Sequence, residues 1–406
     1  MTDAAADAAT PSARGTPGEV FGAFLRLGLT SFGGPVAHLG YFREALILRR
    51  GWLSEAQYAE IVALCQFLPG PASSQVGLAL GLFRAGPLGA LAAWTAFTLP
   101  SALALILFAA GLDLLGGAEG AGWLLGLKAA AVAVVAQACL GMGRALAPDA
   151  PRQTLAALAA VAALLIPGAA GQLGAIALGA LAGVTLMRAS AAGGPGEGEG
   201  LRVPVSRTAG AACLALFALL LAGLPFLAGQ GPLLDYAEGF YRAGALVFGG
   251  GHVVLPLLES SAVGGGWVGA EAFVAGYGAA QAVPGPLFTF AAYLGQAAGG
   301  LTGAVVSLVA IFLPGALLVL GALPFWGALR DRPQVRAALA GVNAAVVGVL
   351  LAALYDPVFL QGAGEPVGFA IAALAFLALA SWKRSPLHVV AGAAVLGAIA
   401  SAIGLA

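Results

Sequence analysis

Of the 406 residues, 60% are hydrophobic and only 9% are charged, with 18 basic and 18 acidic side chains and no formal net charge. Soluble domains carry about 25% charged residues, so this chain cannot clothe itself in a water-facing surface. Its balanced charge also removes the basic footprint expected of a nucleic-acid binder. Apolar runs approach the ~20 residues of a spanning helix and lack the alternation of ~10-residue barrel strands. The expected class is all-α: a polytopic membrane protein embedded in lipid.

Residues 1–17 are small and polar, without the basic-then-apolar order of a signal peptide, and are expected to form a disordered tail. Beyond them the chain repeats itself. Phe24-Leu-Arg26-Leu-Gly28, closing on Phe32-Gly33-Gly34, returns as Phe240-Tyr-Arg242-Ala-Gly244, closing on Phe248-Gly249-Gly250. Glu44 falls opposite Glu259, Trp52 opposite Trp267, Gln66 and Pro69-Gly70-Pro71 opposite Gln281 and Pro284-Gly285-Pro286, Leu99-Pro100 opposite Leu313-Pro314, and Lys128 opposite Asn343. Two unrelated apolar sequences would match Ala and Leu by chance, but not Arg, Glu, Trp, Gln and Pro-Gly-Pro in order. The expected organisation is a first repeat over 18–188, a linker with one extra spanning helix over 189–232, and a second repeat over 233–406. Internal duplication of this kind is common in secondary transporters.

Lys and Arg favour the cytoplasmic side. Placing the basic loops inside gives full crossings at Gly86–Leu112, Gly122–Leu146, Gln153–Pro167, Gln172–Leu186, Thr208–Ala228, Leu301–Leu329, Val335–Tyr355, Pro366–Trp382 and Pro386–Leu405. The segments around Ser31-Phe-Gly-Gly-Pro35, Pro69-Gly70-Pro71, Phe248-Gly-Gly-Gly251 and Pro284-Gly285-Pro286 are broken and read as re-entrant pairs of half-helices. The first segment of each half can also be read as one full, tilted span. The count predicts two inverted repeats, with the N-terminus cytoplasmic and the C-terminus periplasmic.

The breaks are the first candidates for chemistry. A helix restarting after a break offers unpaired N–H groups and the positive end of its dipole, a general anion site. Gly33, Gly34, Gly70, Gly249, Gly250 and Gly285 belong to it, with Ser31, Ser73, Gln66 and Gln281 as neighbouring donors; Ser74 and Thr289 can add hydroxyls. Equally, the glycines can serve packing and the glutamines can cap freed carbonyls. Arg26 and Arg242 suit a tetrahedral oxyanion, or snorkel, or pair with carboxylates. Lys128 and Asn343 can face the same site, or Lys128 can anchor at the interface. His38 and His252 can hydrogen-bond an oxyanion. Glu44 and Glu259 are candidates for carrying protons, or for pairing with Arg26, Arg242 or Arg43. Trp52 and Trp267 are expected at the membrane interface. Cys65, Cys139 and Cys213 are scattered and form no CxxC, so no metal site, disulfide or cofactor is expected, and with no nucleotide or catalytic motif neither is an enzyme.

Phe24-x-Arg26-x-Gly28, Ser31-Phe-Gly-Gly-Pro35, Arg43-Glu44, Gly51-Trp52-Leu-Ser-Glu55 and Gln66-x-x-Pro69-Gly70-Pro71 resemble the first half of the chromate ion transporter family. Phe248-Gly-Gly-Gly-His252-Val-Val-Leu-Pro256, Gln281-x-x-Pro284-Gly-Pro286 and Gly341-Val-Asn343 are similar to its second half. The resemblance implies a bacterial inner-membrane protein of two homologous halves that exports chromate, with sulfate as mimic or competitor. A homodimer is a compatible assembly. Proton-coupled uptake of sulfate on the same fold is the alternative.

Overall fold

The computed structural model describes residues 15–32, 34–114, 122–166, 169–186, 203–247, 254–329 and 332–405, and among them no strand occurs. The first half runs α1 Pro17–Thr30, α2 Gly34–Phe42 with its wider-wound continuation Arg43–Leu48, α3 Glu55–Phe67, α4 Ala72–Leu114, α5 Gly122–Leu146, α6 Ala150–Leu165 and α7 Ala169–Leu186. The unrepeated helix is α8 Arg207–Gly223. The second half runs α9 Pro232–Leu246, α10 Val254–Ala262, α11 Ala270–Ala282, α12 Phe290–Ala322, α13 Pro333–Ala353, α14 Pro366–Ala380 and α15 Pro386–Ala402. Among the described residues, five helical stretches are long and apolar enough to cross a membrane: Ala72–Leu112, Gly122–Arg144, Arg207–Phe226, Leu287–Ala328 and Pro333–Gly362. The outer surface is oily. Leu107, Leu165, Leu186 and Phe226 are 71–83% exposed, a belt that only lipid accommodates.

Both longest helices are really hairpins. In α4 the backbone leaves helical geometry at Ala85 (φ −139°, ψ 23°) and Gly86 (φ 69°, ψ −160°), and in α12 at Gly299 (φ −149°, ψ 24°) and Gly300 (φ 63°, ψ −159°). A Cβ on Gly81 would strike the Gly89 carbonyl oxygen, and one on Gly295 that of Gly303. In a straight helix residues eight apart are separated by roughly 12 Å, so the chain has turned back on itself. Glycine supplies the positive φ and the close backbone approach. The arm 72–84 is therefore roughly 20 Å long and stops short of a ~30 Å hydrocarbon core, whereas 87–114 exceeds it.

The same ends gather at one level. Arg84 pairs with Glu19 at 3.0 Å, the Gly15 N–H donates to the Arg84 carbonyl, and the Arg84 guanidinium lies 5.5 Å from the Trp52 ring centre. The start of α1, the α2–α3 turn and the α4 bend thus lie together, and the chain breaks at the opposite tips. The second half repeats this: the Tyr236 hydroxyl donates to the Ala298 carbonyl and its ring packs on Trp267. The two tryptophans expected at the interface are packing residues instead. Trp52 is buried against Phe24, and Trp267 packs equivalently against Phe240. Gly28 and Gly244 explain their own recurrence, because a Cβ on either would strike the carbonyl of Phe97 or of Ile311.

The halves interlock by exchange. Helix α5 packs on α14 and α15 of the second half, and its counterpart α13 packs on α6 and α7 of the first. Gly126 rests on the Ala393 carbonyl and Gly122 on that of Gly397; reciprocally, Gly341 rests on the Gly179 carbonyl and Gly183 on that of Ala337. Small residues four apart on both sides let the backbones touch, the usual basis of helix association in lipid. Reciprocal contact of equivalent residues is the mark of a two-fold relation. One departure from symmetry stands out. Helix α11 is buried without interruption from Phe273 to Ala280 and seats Gly278 on the Leu127 carbonyl, whereas α3 buries only one face.

Candidate functional site

The breaks meet crosswise. The Gly70 N–H donates to the Val247 carbonyl at 2.7 Å, and the Gly285 N–H donates to the Ser31 carbonyl at 2.9 Å. Each Pro-Gly-Pro of one half is thus bonded to the residue that opens the Gly-rich break of the other. Gly70 (φ 123°) lies against Gly315 and Gln75, and Gly285 (φ 100°) against Ser101 and the Phe97 carbonyl. The residues after Pro100 and Pro314 therefore complete the crossing. Such backbone cannot bear a side chain without strain, which accounts for glycine at both centres.

Around Gly285 the first half gathers polar groups. His38 is fully buried, with Nδ1 3.3 Å from the Ser73 hydroxyl, its ring beside the Ser31 backbone and edge-on to Phe97 at 5.2 Å. Ser31 Oγ, His38 Nε2, Ser74 Oγ and Thr98 Oγ1 are buried and have no hydrogen-bond partner among the described residues. Ser73 and Ser74 sit in the first turn of α4, where backbone N–H groups are also unpaired. Around Gly70 and at the matching positions of the second half, the side-chain donors are paired. Gln75 donates to both the Pro69 and the Gly315 carbonyls, Thr289 donates to Pro286, and Phe288 and Phe312 pack at 5.9 Å.

The remaining candidates fall elsewhere. Arg26 is exposed on the outer face of α1. Arg242 pairs with Glu238 at 2.8 Å rather than with Glu259, and Glu44 pairs with exposed Arg49 at 2.8 Å rather than with Arg26 or Arg43, which itself holds Glu55. Lys128 reaches Glu271 at 3.7 Å, while Asn343 and Glu259 are half-buried. Gln66 is exposed; Gln281 keeps a buried, unpartnered Nε2. Gly33, Gly249, Gly250 and His252 lie outside the described residues, and Gly34 opens α2 at φ 76°. Gln75 and Thr98 were not singled out from sequence. Their signal was a polar residue inside an apolar helix, one turn past a Pro-Gly-Pro and two residues before a helix proline.

Comparison with protein families matches residues 18–184 and, separately, residues 234–398 to the chromate transporter family. The chain belongs to that family. Within it, the chain is 32% identical to a chromate transport protein of Pseudomonas aeruginosa, over 94% of this chain and 91% of that one. It is 29% identical to the chromate transport protein of Cupriavidus metallidurans, over 93% and 91%. An uncharacterized transporter of Bacillus subtilis, YwrB, is 31% identical over 38% of this chain but 81% of its own length, so a relative exists at about the size of one repeat. No solved structure matches.

Proposed function

We propose that this chain is a secondary transporter that exports chromate, or a sulfate-like dianion, across the bacterial inner membrane by alternating access around the crossed breaks. The observation that carries the reading is the reciprocal pair of hydrogen bonds, Gly70 to Val247 and Gly285 to Ser31, which joins the tips of all four re-entrant hairpins. Two of those tips begin helices whose amide ends attract anions. Membership of the family, and the names its relatives carry, support the substrate.

The two copies are read as inverted. Phe108 lies roughly 33 Å along α4 from the bend at Gly86, and Tyr293 only about 10.5 Å along α12 from the bend at Gly300, at 1.5 Å per residue. Their rings are 5.9 Å apart, which supports bends on opposite membrane faces. Helix α8 agrees: it starts beside Pro324, at the far end of α12, and passes Tyr241 on its way to α9. With the N-terminus cytoplasmic, the Gly86 bend is cytoplasmic and the Gly300 bend and C-terminus are periplasmic. Single cysteines at Gly86 and Gly300 in a cysteine-free background are expected to react with an impermeant maleimide from opposite sides of the membrane; labelling from the same side would refute the inversion.

Function is tested with everted membrane vesicles and radiolabelled chromate and sulfate. Accumulation in vesicles holding this chain, several-fold above empty vesicles, is the expected result. Uptake into right-side-out vesicles that requires an inward proton gradient would replace the export reading by proton symport. No movement of either ion in either orientation would remove the function.

A further inference from the structure

The pseudo-two-fold relation allows the two lobes of the crossing to be compared residue by residue, and they differ in chemistry. Ser31 stands opposite Val247, Ser73-Ser74-Gln75 opposite Phe288-Thr289-Phe290, Phe97-Thr98 opposite Ile311-Phe312, and Ser101 opposite Gly315. Hydroxyls recur in the first lobe, and carbon replaces nearly all of them in the second.

Side chains in the two lobes also differ in what their donors are doing. A Ser or Thr in an apolar helix ordinarily gives its hydroxyl hydrogen to a carbonyl of the preceding turn. Thr30, Ser101, Thr154, Thr185, Ser261 and Thr289 all do so. Ser31, Ser74 and Thr98 do not, although they are 0%, 5% and 2% exposed. Leaving a buried hydroxyl unbonded costs about 1–3 kcal/mol, so three of them need a reason when they fall on Ser31, whose backbone adjoins His38, and on the residues next to Ser73 and Phe97, which both contact His38. Elsewhere among the described residues, only Ser307 has a buried and unbonded hydroxyl, and it is wedged where α12 folds closely past Gly295.

No cation among the described residues joins this cluster through a side-chain bond. Arg26 is exposed, and Arg242 and Lys128 are engaged with Glu238 and Glu271. We infer that the oxyanion is held in the lobe around Gly285, through neutral donors: the hydroxyls of Ser31, Ser74 and Thr98, His38 Nε2, and the amide ends of α2 and α4. The second repeat, with Phe288 and Phe312, forms the dry wall that closes over it. The ligand class that fits is a tetrahedral dianion such as sulfate or chromate, whose four oxygens accept hydrogen bonds in every direction. This rests on the oxyanion reading above and narrows it to one lobe.

The test is equilibrium binding of radiolabelled sulfate to the full-length purified chain in detergent, with chromate as competitor. Thr98→Val and Ser74→Ala are each expected to weaken binding about tenfold or more, as loss of a hydrogen bond to a charged group would. Thr98→Ser retains the donor and is expected to bind within about twofold of the parent, which separates a lost donor from a damaged fold. Thr289→Val, on the second lobe, is also expected to bind as the parent does. Parent-like affinity in Thr98→Val and Ser74→Ala, or a loss in Thr289→Val equal to theirs, would overturn the one-sided site while leaving oxyanion transport standing. Binding lost in Arg26→Gln or Arg242→Gln but kept in the hydroxyl variants would overturn it in favour of charged recognition. Absence of sulfate and chromate binding and of flux in the parent chain would remove both readings together.

Discussion

Gly285→Ala is expected to reduce oxyanion flux at least tenfold without preventing membrane insertion, and Gly70→Ala is expected to do the same less severely. Both residues sit at φ values, 100° and 123°, that an L side chain tolerates at a cost of roughly 1–3 kcal/mol. Each would also push a methyl group into a contact that has no room. At Gly285 the methyl meets the Ser101 hydroxyl at 2.9 Å and the Phe97 carbonyl at 3.2 Å. Those atoms belong to the stretch of α4 that carries Thr98, so relief of the clash displaces the donors themselves. At Gly70 the nearest atom is the amide nitrogen of Gln75 at 2.8 Å, the end of a side chain, with the Gly315 backbone behind it at 3.1 Å. Gln75 can swing aside, but only by releasing the Pro69 and Gly315 carbonyls it bonds. The check is vesicle flux normalised to folded protein by size-exclusion profile. Parent-level flux in both variants would show that the crossing of the breaks has no bearing on transport.

The ranking follows from what each hydrogen bond holds. Gly285 ties the second copy's hairpin to Ser31, and Ser31 is beside His38. Gly70 ties the first copy's hairpin to Val247, in a lobe already closed by Phe288, Phe312 and Gln75. Disturbing the first bond moves polar groups; disturbing the second moves a wall.

What could be read from the sequence was whatever repeated. Phe24, Gly28, Trp52 and Pro69-Gly70-Pro71 each recur because each does one job twice, and those jobs are matching contacts in the two halves. The half-helix pairs were legible for the same reason, since a Gly-Pro break is a local property of the chain. The roles of the charged residues were not. Arg26 and Arg242 recur, yet Arg242 has Glu238 one helical turn before it, where the first repeat has Gly22, and so only the second copy makes that ion pair. The tryptophans looked like interface anchors because an apolar sequence does not disclose which of its apolar faces meets protein and which meets lipid. The hydroxyl cluster was hardest of all. Thr98, Ser74 and Ser31 share with Ser307 alone, among the described residues, a buried hydroxyl that bonds nothing, and that is a property of geometry.

A neutral site has an electrical consequence, and transport is expected to respond steeply to membrane potential. If the dianion is gripped by hydroxyls, an imidazole and amides, no fixed side-chain charge travels with it, and the loaded carrier moves two negative charges. Each charge is worth ~2.3 kcal/mol per 100 mV, so two are worth about 4.6 kcal/mol, and at 1.4 kcal/mol per tenfold ratio the gradient sustained at 100 mV is on the order of a thousandfold. In a cell with a negative interior that force points outward, so export needs no further energy source. Proteoliposomes clamped by potassium and valinomycin provide the measurement: sulfate distribution at steady state, read at 0 and at about 100 mV with pH equal on both sides. A distribution that does not change with the clamp would mean that two positive charges accompany the ion. Glu259, half-buried in α10, would then be the first group to neutralise, by Glu259→Gln, in search of a proton path.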